Sequence, residues 1–232
     1  MITPREIDLA DTPAAAARLR SVDLAGPAGL LEAVVNEGAA TARFAGLVCH
    51  PHPQGGGTLH NKVVYHAMKV LNAPEWGSGV PVLRFNFRGT ERSEGAHDGR
   101  AESGDVLAAR DWLKQEYGLP IMVVGFSFGA AMALKAASED AREVRAIAAL
   151  GLPTSAGGHT YRYAFLKDLT LPKLFLSGAS DQFAPHAELE HVVECASDPK
   201  QLVLIPGADH FFAGRLEAMQ QALASWLEEH AP

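Results

Sequence analysis

The fold follows most directly from the stretch Ile121-Met122-Val123-Val124-Gly125-Phe126-Ser127-Phe128-Gly129-Ala130-Ala131-Met132-Ala133. It begins with an apolar run that ends at glycine, which is typical of a strand buried on both faces. The Ala-, Met- and Leu-rich residues that begin at Ala130 favour a buried helix immediately afterwards. Ser127 is therefore predicted to lie on a sharp turn between strand and helix, where Gly125 and Gly129 let the two elements approach without a Cβ clash.

The rest of the chain extends this strand–helix pair into a regular alternation. From Phe44 onward, apolar runs of strand length alternate with segments of helical periodicity, which predicts β-α-β crossovers and a twisted parallel sheet with helices on both faces. Two earlier runs flank the turn Gly26-Pro27-Ala28-Gly29 and predict an antiparallel hairpin. The eight predicted strands cover residues 20–24, 30–35, 44–49, 80–87, 121–124, 144–151, 171–177 and 201–205.

Helices are predicted between most of these strands, at residues 59–71, 105–117, from 130 onward, 184–195 and 213–229. Thr58 is expected to cap the first of them. We expect residues 1–18 to form an N-terminal arm and residues 19–232 to form one α/β domain. Only residues 152–170 separate two predicted strands, which leaves too little chain for a large cap domain and predicts an open, shallow site.

The composition narrows the range of partners. The chain has 232 residues, 47% of them hydrophobic, and a net charge of −7. This acidic balance argues against nucleic acid or an anionic membrane as the main partner. The N-terminus lacks an apolar signal core, and no window has the apolar length needed to span a bilayer, so a soluble cytoplasmic protein is expected.

Three loops at predicted strand ends carry side chains with related chemistry. Functional loops of doubly wound sheets lie beyond the carboxyl ends of the strands. Ser127 follows the strand at 121–124, Asp181 follows the strand at 171–177, and His210 follows the strand at 201–205. The chain order serine, acid, histidine is the order that a Ser-His-Asp triad on this type of sheet requires.

Each of these side chains has a predicted role. A serine hydroxyl becomes a good nucleophile when a neighbouring imidazole accepts its proton, so His210 is expected to be the base for Ser127. Asp181 is expected to hold the His210 tautomer and to stabilise the imidazolium. Two alternatives stay open, since Asp181 could instead cap the following helix and Asp209 is a rival for the acid.

A tetrahedral intermediate also needs backbone N–H donors for its oxyanion. Phe128, the residue after the serine, is expected to supply one donor. The second is expected from the loop after the strand at 44–49, where the prolines have no N–H and leave His52 or Gln54. We favour His52 because it lies nearer the strand end. The predicted substrate contacts are Gln54, Gly55, Phe126, Tyr161 and Phe183.

Other polar clusters are interpreted more simply. His50, His52, His60 and His66 lie near Cys49, but their spacing is not that of a zinc site, and no metal or other cofactor is predicted. The polar turn at residues 88–95 is interpreted as a solvated, salt-bridged turn that Arg88 could brace from below.

Several motifs together resemble those of a known superfamily. Cys49-His50-Pro51-His52-Pro53, Gly56-Gly57, Asn61-Lys62-Val63-Val64, Phe85-Asn86-Phe87-Arg88-Gly89 and Gly125-Phe126-Ser127-Phe128-Gly129 resemble small bacterial predicted hydrolases of the α/β-hydrolase superfamily. These proteins are similar in outline to dienelactone hydrolases and to the catalytic domains of acyl-peptidases. The resemblance implies an α/β-hydrolase fold, a serine nucleophile and no cofactor.

The sequence therefore predicts a serine hydrolase that cleaves a small soluble ester, thioester or similar acyl compound. Acyl transfer by the same triad and a non-catalytic binding module on the same fold are the alternatives. An open site suits small acyl substrates better than long-chain lipids, which need a large apolar cavity. The sequence does not specify the oligomeric state or the physiological substrate.

Overall fold

The computed structural model describes residues 19–76, 79–156 and 158–231, so the predicted arm at residues 1–18 lies outside the described residues. Its centre is an eight-stranded sheet. The strands of this sheet are β1 (Leu19–Gly26), β2 (Gly29–Asn36), β3 (Ala45–Cys49), β4 (Val82–Phe85), β5 (Ile121–Phe126), β6 (Val144–Leu150), β9 (Lys173–Gly178) and β10 (Lys200–Ile205). A separate two-stranded sheet pairs β7 (Ser155–Ala156) with β8 (His159–Thr160).

The strand order in the large sheet is β1-β2-β4-β3-β5-β6-β9-β10. β2 pairs antiparallel with both β1 and β4, and every pairing from β4 to β10 is parallel. The predicted mostly parallel sheet with an antiparallel N-terminal hairpin is confirmed. The carboxyl ends of β5, β9 and β10 lie at the same edge because these strands run in one direction.

Five α-helices cover the two faces of this sheet: α1 (Lys62–Asn72), α2 (Glu102–Tyr117), α3 (Phe128–Glu139), α4 (His186–Cys195) and α5 (Leu216–His230). The core between the sheet, α1 and α5 includes Val64 and Leu223. The core on the other face joins α2, α3 and α4 and includes Leu113 and Leu134. All six β5 residues are buried between the two layers, as their continuous apolar character predicts.

Several predicted boundaries differ from the observed ones, and two of these differences have local reasons. β5 continues to Phe126 and does not end at Val124, so Ser127 directly follows the strand. The first helix begins at Lys62 because the Asn61 side chain accepts hydrogen bonds from the next turn, at 2.9 Å from the Val63 nitrogen and 3.4 Å from the Val64 nitrogen. The Thr58 hydroxyl accepts the His60 N–H at 3.2 Å, within the preceding turn.

The segment between β6 and β9 contains only β7, β8 and the short 3₁₀ turn Ala164–Lys167 within its described residues. It contains no inserted helical domain there, in agreement with the prediction. Across the described ranges, no helix combines the length and the apolar character needed to cross a bilayer.

Candidate active site

Ser127 lies on the turn between β5 and α3, and its backbone has φ 55° and ψ −120°. A non-glycine residue reaches this region only when the surrounding structure holds it there. The two flanking glycines make this possible, because an added Cβ at Gly125 would lie 2.5 Å from the Ala130 backbone. An added Cβ at Gly129 would lie 2.5 Å from the carbonyl oxygens of Cys49 and His50. Ser127 is consequently presented at the edge where the parallel strands end.

His210 follows β10 and reaches Ser127 from a different loop. Its Nε2 lies 2.9 Å from Ser127 Oγ, and the residue is almost fully buried. The imidazole is enclosed by aromatic rings, with centroids 5.1 Å away for Phe126, 4.7 Å for Phe183 and 5.1 Å for Phe211. This packing holds the ring within hydrogen-bonding distance of the serine hydroxyl.

Asp181 follows β9 and contacts the other nitrogen of the same imidazole. His210 Nδ1 lies 2.8 Å from Asp181 Oδ2 and 3.0 Å from Oδ1. Ser177 Oγ and the Phe183 N–H also donate to this carboxylate, at 2.9 Å and 2.8 Å. Burial acts to raise the pKa of Asp181, but His210 and these donors outweigh it and hold the pKa below its usual value. The carboxylate is therefore charged and oriented, so Nδ1 is the protonated nitrogen and Nε2 accepts from Ser127.

The side chains of Asp181 and Asp209 have different contacts. The side chain of Asp209 accepts the N–H groups of Phe211 and Ala213, at 3.0 Å and 2.9 Å, and so stabilises its own loop. α4 begins after Pro185 without any side-chain cap, so Asp181 is not the cap of that helix. Asp181 is thus the carboxylate that the structure brings to His210.

The loop after β3 faces the start of α3. Phe128 is the first residue of α3, where a backbone N–H has no acceptor within its own helix. The Gln54 N–H donates to His52 Nδ1 at 3.2 Å, so that amide already has an acceptor. The rings of His52 and Phe128 lie 5.1 Å apart. Of the two predicted second donors, this arrangement favours the His52 N–H.

His50 holds this loop from behind. Its Nε2 accepts the Phe87 N–H at 2.9 Å, and its Nδ1 lies 2.6 Å from the Pro51 carbonyl oxygen. The ring is completely buried, and burial lowers the pKa of His50 to about 4. Neutral His50 therefore joins the loops that follow β3 and β4.

A cavity of about 590 Å³ opens above Ser127 and His210. Four of the five residues predicted to contact substrate line it, namely Gln54, Gly55, Tyr161 and Phe183. Phe126 does not, which corrects the prediction. Phe126 is the last residue of β5, and its buried side chain packs beneath the His210 ring.

Sequence reasoning missed several residues of this cavity. Asn61, His97, Asp98, Arg100 and Phe211 also line it. Phe211 was recoverable in principle because it is adjacent to His210. Asn61 belongs to the motif Asn61-Lys62-Val63-Val64, which was given no role in the site, and no motif marks His97, Asp98 or Arg100. Ser177, which orients Asp181, was recoverable as a polar residue at the end of a predicted strand.

The described residues contain no group of three or more His, Cys, Asp or Glu side chains that could hold a metal ion. Three of the four histidines considered in the sequence, His50, His52 and His66, have other contacts. His50 binds Pro51 and Phe87, His52 accepts from Gln54, and His66 Nδ1 lies 3.0 Å from Gln220 Oε1.

Comparison with known proteins gives a matching protein family and a relative of similar length. The family model described as an alpha/beta hydrolase domain matches residues 47–230. An uncharacterised protein of Rickettsia prowazekii is 33% identical over 210 residues, which cover 87% of this chain and 86% of the relative.

Two solved structures are similar along almost the whole chain. An alpha-beta serine hydrolase homologue from Coxiella burnetii has a TM-score of 0.80 and 32% identity, covering 90% of this chain and 97% of that one. A member of the a/b serine hydrolases without lid, from Xanthomonas campestris, has a TM-score of 0.80 and 28% identity, covering 92% and 95%. These likenesses support a hydrolase.

Proposed function

Because the chain belongs to the alpha/beta hydrolase domain family, we propose that it is a serine hydrolase that cleaves small esters, thioesters or similar acyl compounds. Ser127, His210 and Asp181 form its catalytic triad. The observation that carries this proposal is the distance of 2.9 Å between Ser127 Oγ and His210 Nε2, with Asp181 on the opposite nitrogen. A binding module would not need this chain of contacts.

The proposed reaction follows from these contacts. His210 Nε2 takes the Ser127 proton as Oγ attacks the acyl carbon, and the imidazolium that forms is stabilised by Asp181. The same proton then passes to the leaving group, which departs and leaves an acyl-enzyme on Ser127. Water, activated by His210 in the same way, attacks this ester and releases the acid. Hydrolysis thus regenerates the free serine.

The negative charge on the tetrahedral intermediate needs donors on the opposite side. We assign this role to the backbone N–H groups of Phe128 and His52. The Phe128 N–H lies at the start of α3, where the helix dipole favours an anion. Close contact between Gly129 and the carbonyl groups of Cys49 and His50 keeps the His52 loop against this helix. Removing one such donor typically costs about 10² to 10³ in kcat.

The size of the site supports a small substrate. A cavity of about 590 Å³ accommodates a compact acyl group together with its leaving group. Tyr161, Phe183 and Phe211 supply apolar contacts around it. A series of p-nitrophenyl esters is therefore expected to show highest kcat/KM for short acyl chains, and steeply rising activity toward long chains would contradict this assignment.

The nucleophile is tested with a fluorophosphonate probe. We expect covalent labelling at Ser127, located by peptide mass spectrometry, and complete loss of labelling and of esterase activity in Ser127→Ala. Ser138→Ala is the matched control, because Ser138 is an exposed serine of α3 whose hydroxyl bonds to the Lys135 carbonyl. Folded wild-type protein that is not labelled, or Ser127→Ala protein that retains activity, would overturn the proposal.

A further inference from the structure

The wall of the cavity includes a loop that connects β4 to α2 and contains Arg100. Among the described residues, the Arg100 guanidinium has no hydrogen-bond or ion-pair partner, and the hydrogen bonds of this residue are made by its backbone N–H and carbonyl groups. Arg100 is exposed, and it differs in this respect from Arg88 and Arg110, which bind carboxylates directly. Arg100 therefore presents free donors to the cavity that contains Ser127.

The backbone that carries Arg100 is held firmly. The Asp98 carboxylate accepts the N–H groups of Arg100 and Ala101, each at 2.7 Å. The buried Glu102 carboxylate accepts the N–H groups of Asp98 and Gly99, at 2.9 Å and 3.2 Å. Preorganisation of this kind reduces the entropy that a binding group loses when its ligand arrives.

Glu102 also contacts the His97 side chain. Its Oε1 lies 2.6 Å from His97 Nδ1, and the His97 ring contacts the rings of His52 and Phe128, at centroid distances of 4.7 Å and 5.3 Å. The Arg100 loop is consequently packed against the residues that we assign to the oxyanion site. A ligand that spans the cavity from Ser127 can therefore meet this loop.

Among the residues that the structure describes, Arg100 and Asp98 are the only Asp, Glu, Lys or Arg side chains that line the cavity. Hydrogen bonds from the Ala101 and Arg100 amides lower the pKa of Asp98, so its charge is stabilised by its own loop. The positive charge of the Arg100 guanidinium has no such hydrogen-bond partner among the described residues. A planar fork of N–H donors is suited to bind a carboxylate.

We propose that Arg100 binds a carboxylate that the substrate carries away from the scissile bond, so the preferred substrates are anionic esters such as half-esters of dicarboxylic acids. Arg100 is in this view a specificity-determining residue. The aromatic rings around His210 would contact the apolar chain between the scissile bond and the carboxylate. This inference rests on the proposed hydrolase function and adds a substrate class to it.

The test compares 4-nitrophenyl hydrogen adipate with 4-nitrophenyl hexanoate, which have acyl chains of equal length and differ in the terminal carboxylate. For each enzyme the measured quantity is the ratio of kcat/KM for adipate to kcat/KM for hexanoate. In Arg100→Gln this ratio is expected to fall by roughly fivefold, mainly through KM, because a charge-assisted hydrogen bond at an exposed side chain is lost. The ratio for Arg100→Lys should lie between the ratios for wild type and Arg100→Gln. Added salt should reduce the wild-type ratio.

Arg145→Gln is the matched control. Arg145 is exposed at the amino end of β6, opposite the edge that holds the site, and its substitution should leave the ratio unchanged. An unchanged ratio in Arg100→Gln, with both esters hydrolysed, would overturn the inference and leave the proposed function intact. Absence of both ester hydrolysis and fluorophosphonate labelling would overturn both together.

A second measurement does not depend on turnover. Adipamate should slow fluorophosphonate labelling of wild-type Ser127 more strongly than hexanamide does, and Arg100→Gln should abolish the difference. Equal protection by the two amides in the wild-type protein would contradict the inference. Circular dichroism of Arg100→Gln provides the folding control, since the substitution keeps the backbone hydrogen bonds of the loop.

Discussion

Asp181 and Asp209 lie on neighbouring loops, and each carboxylate has a different set of donors. Asp181 is buried and receives His210 Nδ1, Ser177 Oγ and the Phe183 N–H. Asp209 receives only backbone N–H groups of the turn that follows it. The two carboxylates should therefore respond differently to the same isosteric substitution.

Asp181→Asn should lower kcat/KM for a short p-nitrophenyl ester by about 10³- to 10⁴-fold, because a carboxamide can donate to Nδ1 and favours the tautomer that cannot take the Ser127 proton. Asp209→Asn should lower kcat/KM for the same ester by less than about threefold, since its amide oxygen can still accept both backbone N–H groups. Initial rates for the two variants provide the measurement. Similar losses in both would contradict the assignment of Asp181.

The loop between β4 and α2 is held by a buried ion pair. Arg88 directs Nε and a terminal nitrogen to Asp105, at distances from 2.6 to 3.1 Å, and its backbone N–H also donates to Asp105 Oδ2 at 3.0 Å. The Asp105 side chain is fully buried, and this partner raises the pKa of Arg88. The prediction that Arg88 braces this turn from below is correct. The prediction that Arg88 is a solvated residue of the turn is wrong.

Arg88→Gln should lower the free energy of unfolding by about 3 kcal/mol, because it leaves the Asp105 carboxylate buried without its cation. Arg92→Gln is the control in the same loop. The Arg92 side chain is 65% exposed and lies 3.4 Å from the Asp23 carboxylate. Loss of the Arg92 charge should therefore lower the free energy of unfolding by less than about 0.5 kcal/mol. Urea unfolding of both variants measures this difference, and equal midpoints would refute the structural role of the Arg88 pair.

At the scale of the whole molecule, His50 couples stability to pH. Burial lowers the pKa of His50 from 6.5 to about 4, so between these values the unfolded chain binds a proton that the folded chain does not. Stability therefore decreases as pH falls through this window, by up to about 3 kcal/mol from this group. Carboxylates whose pKa is lowered in the folded protein, such as Asp181, lose their contribution to stability only as pH falls below about 3.8, the ordinary pKa of an aspartate side chain.

Urea unfolding of wild-type protein and His50→Asn at a series of pH values tests this contribution. The pH dependence between about 6.5 and 4 should be shallower in His50→Asn, because the variant has no imidazole at this position. His60→Asn, at an exposed histidine of the following turn, should retain the wild-type slope. Parallel slopes in wild type and His50→Asn would contradict the argument.

Much of the site could be predicted because strand ends are local features of the sequence. In a parallel sheet, residues that follow the carboxyl ends of different strands lie at one edge. This rule predicts from the sequence alone that Ser127, Asp181 and His210 lie together. The same rule misjudged Phe126, because β5 extends two residues further than its aliphatic run and ends on Phe126 itself. That residue packs beneath His210 and not in the cavity.

Arg100 illustrates what local patterns could not provide. Its position follows from the path of the β4–α2 loop, and this path depends on the ion pair between Arg88 and Asp105, which are 17 residues apart. Glu102 and Asp98 then set the last turn before α2 through hydrogen bonds to backbone amides. None of these contacts has a periodic signature in the sequence.

The alternation of strands and helices, the turn at Ser127 and the order of serine, acid and histidine were all present in the sequence, because apolar periodicity, glycine positions and strand ends are properties of short segments. Packing in three dimensions selected Asp181 over Asp209, placed His52 beside Phe128 and brought Arg100 to the cavity. Each of these outcomes depends on distances between loops from separate parts of the chain, which only the assembled sheet and its buried polar contacts determine.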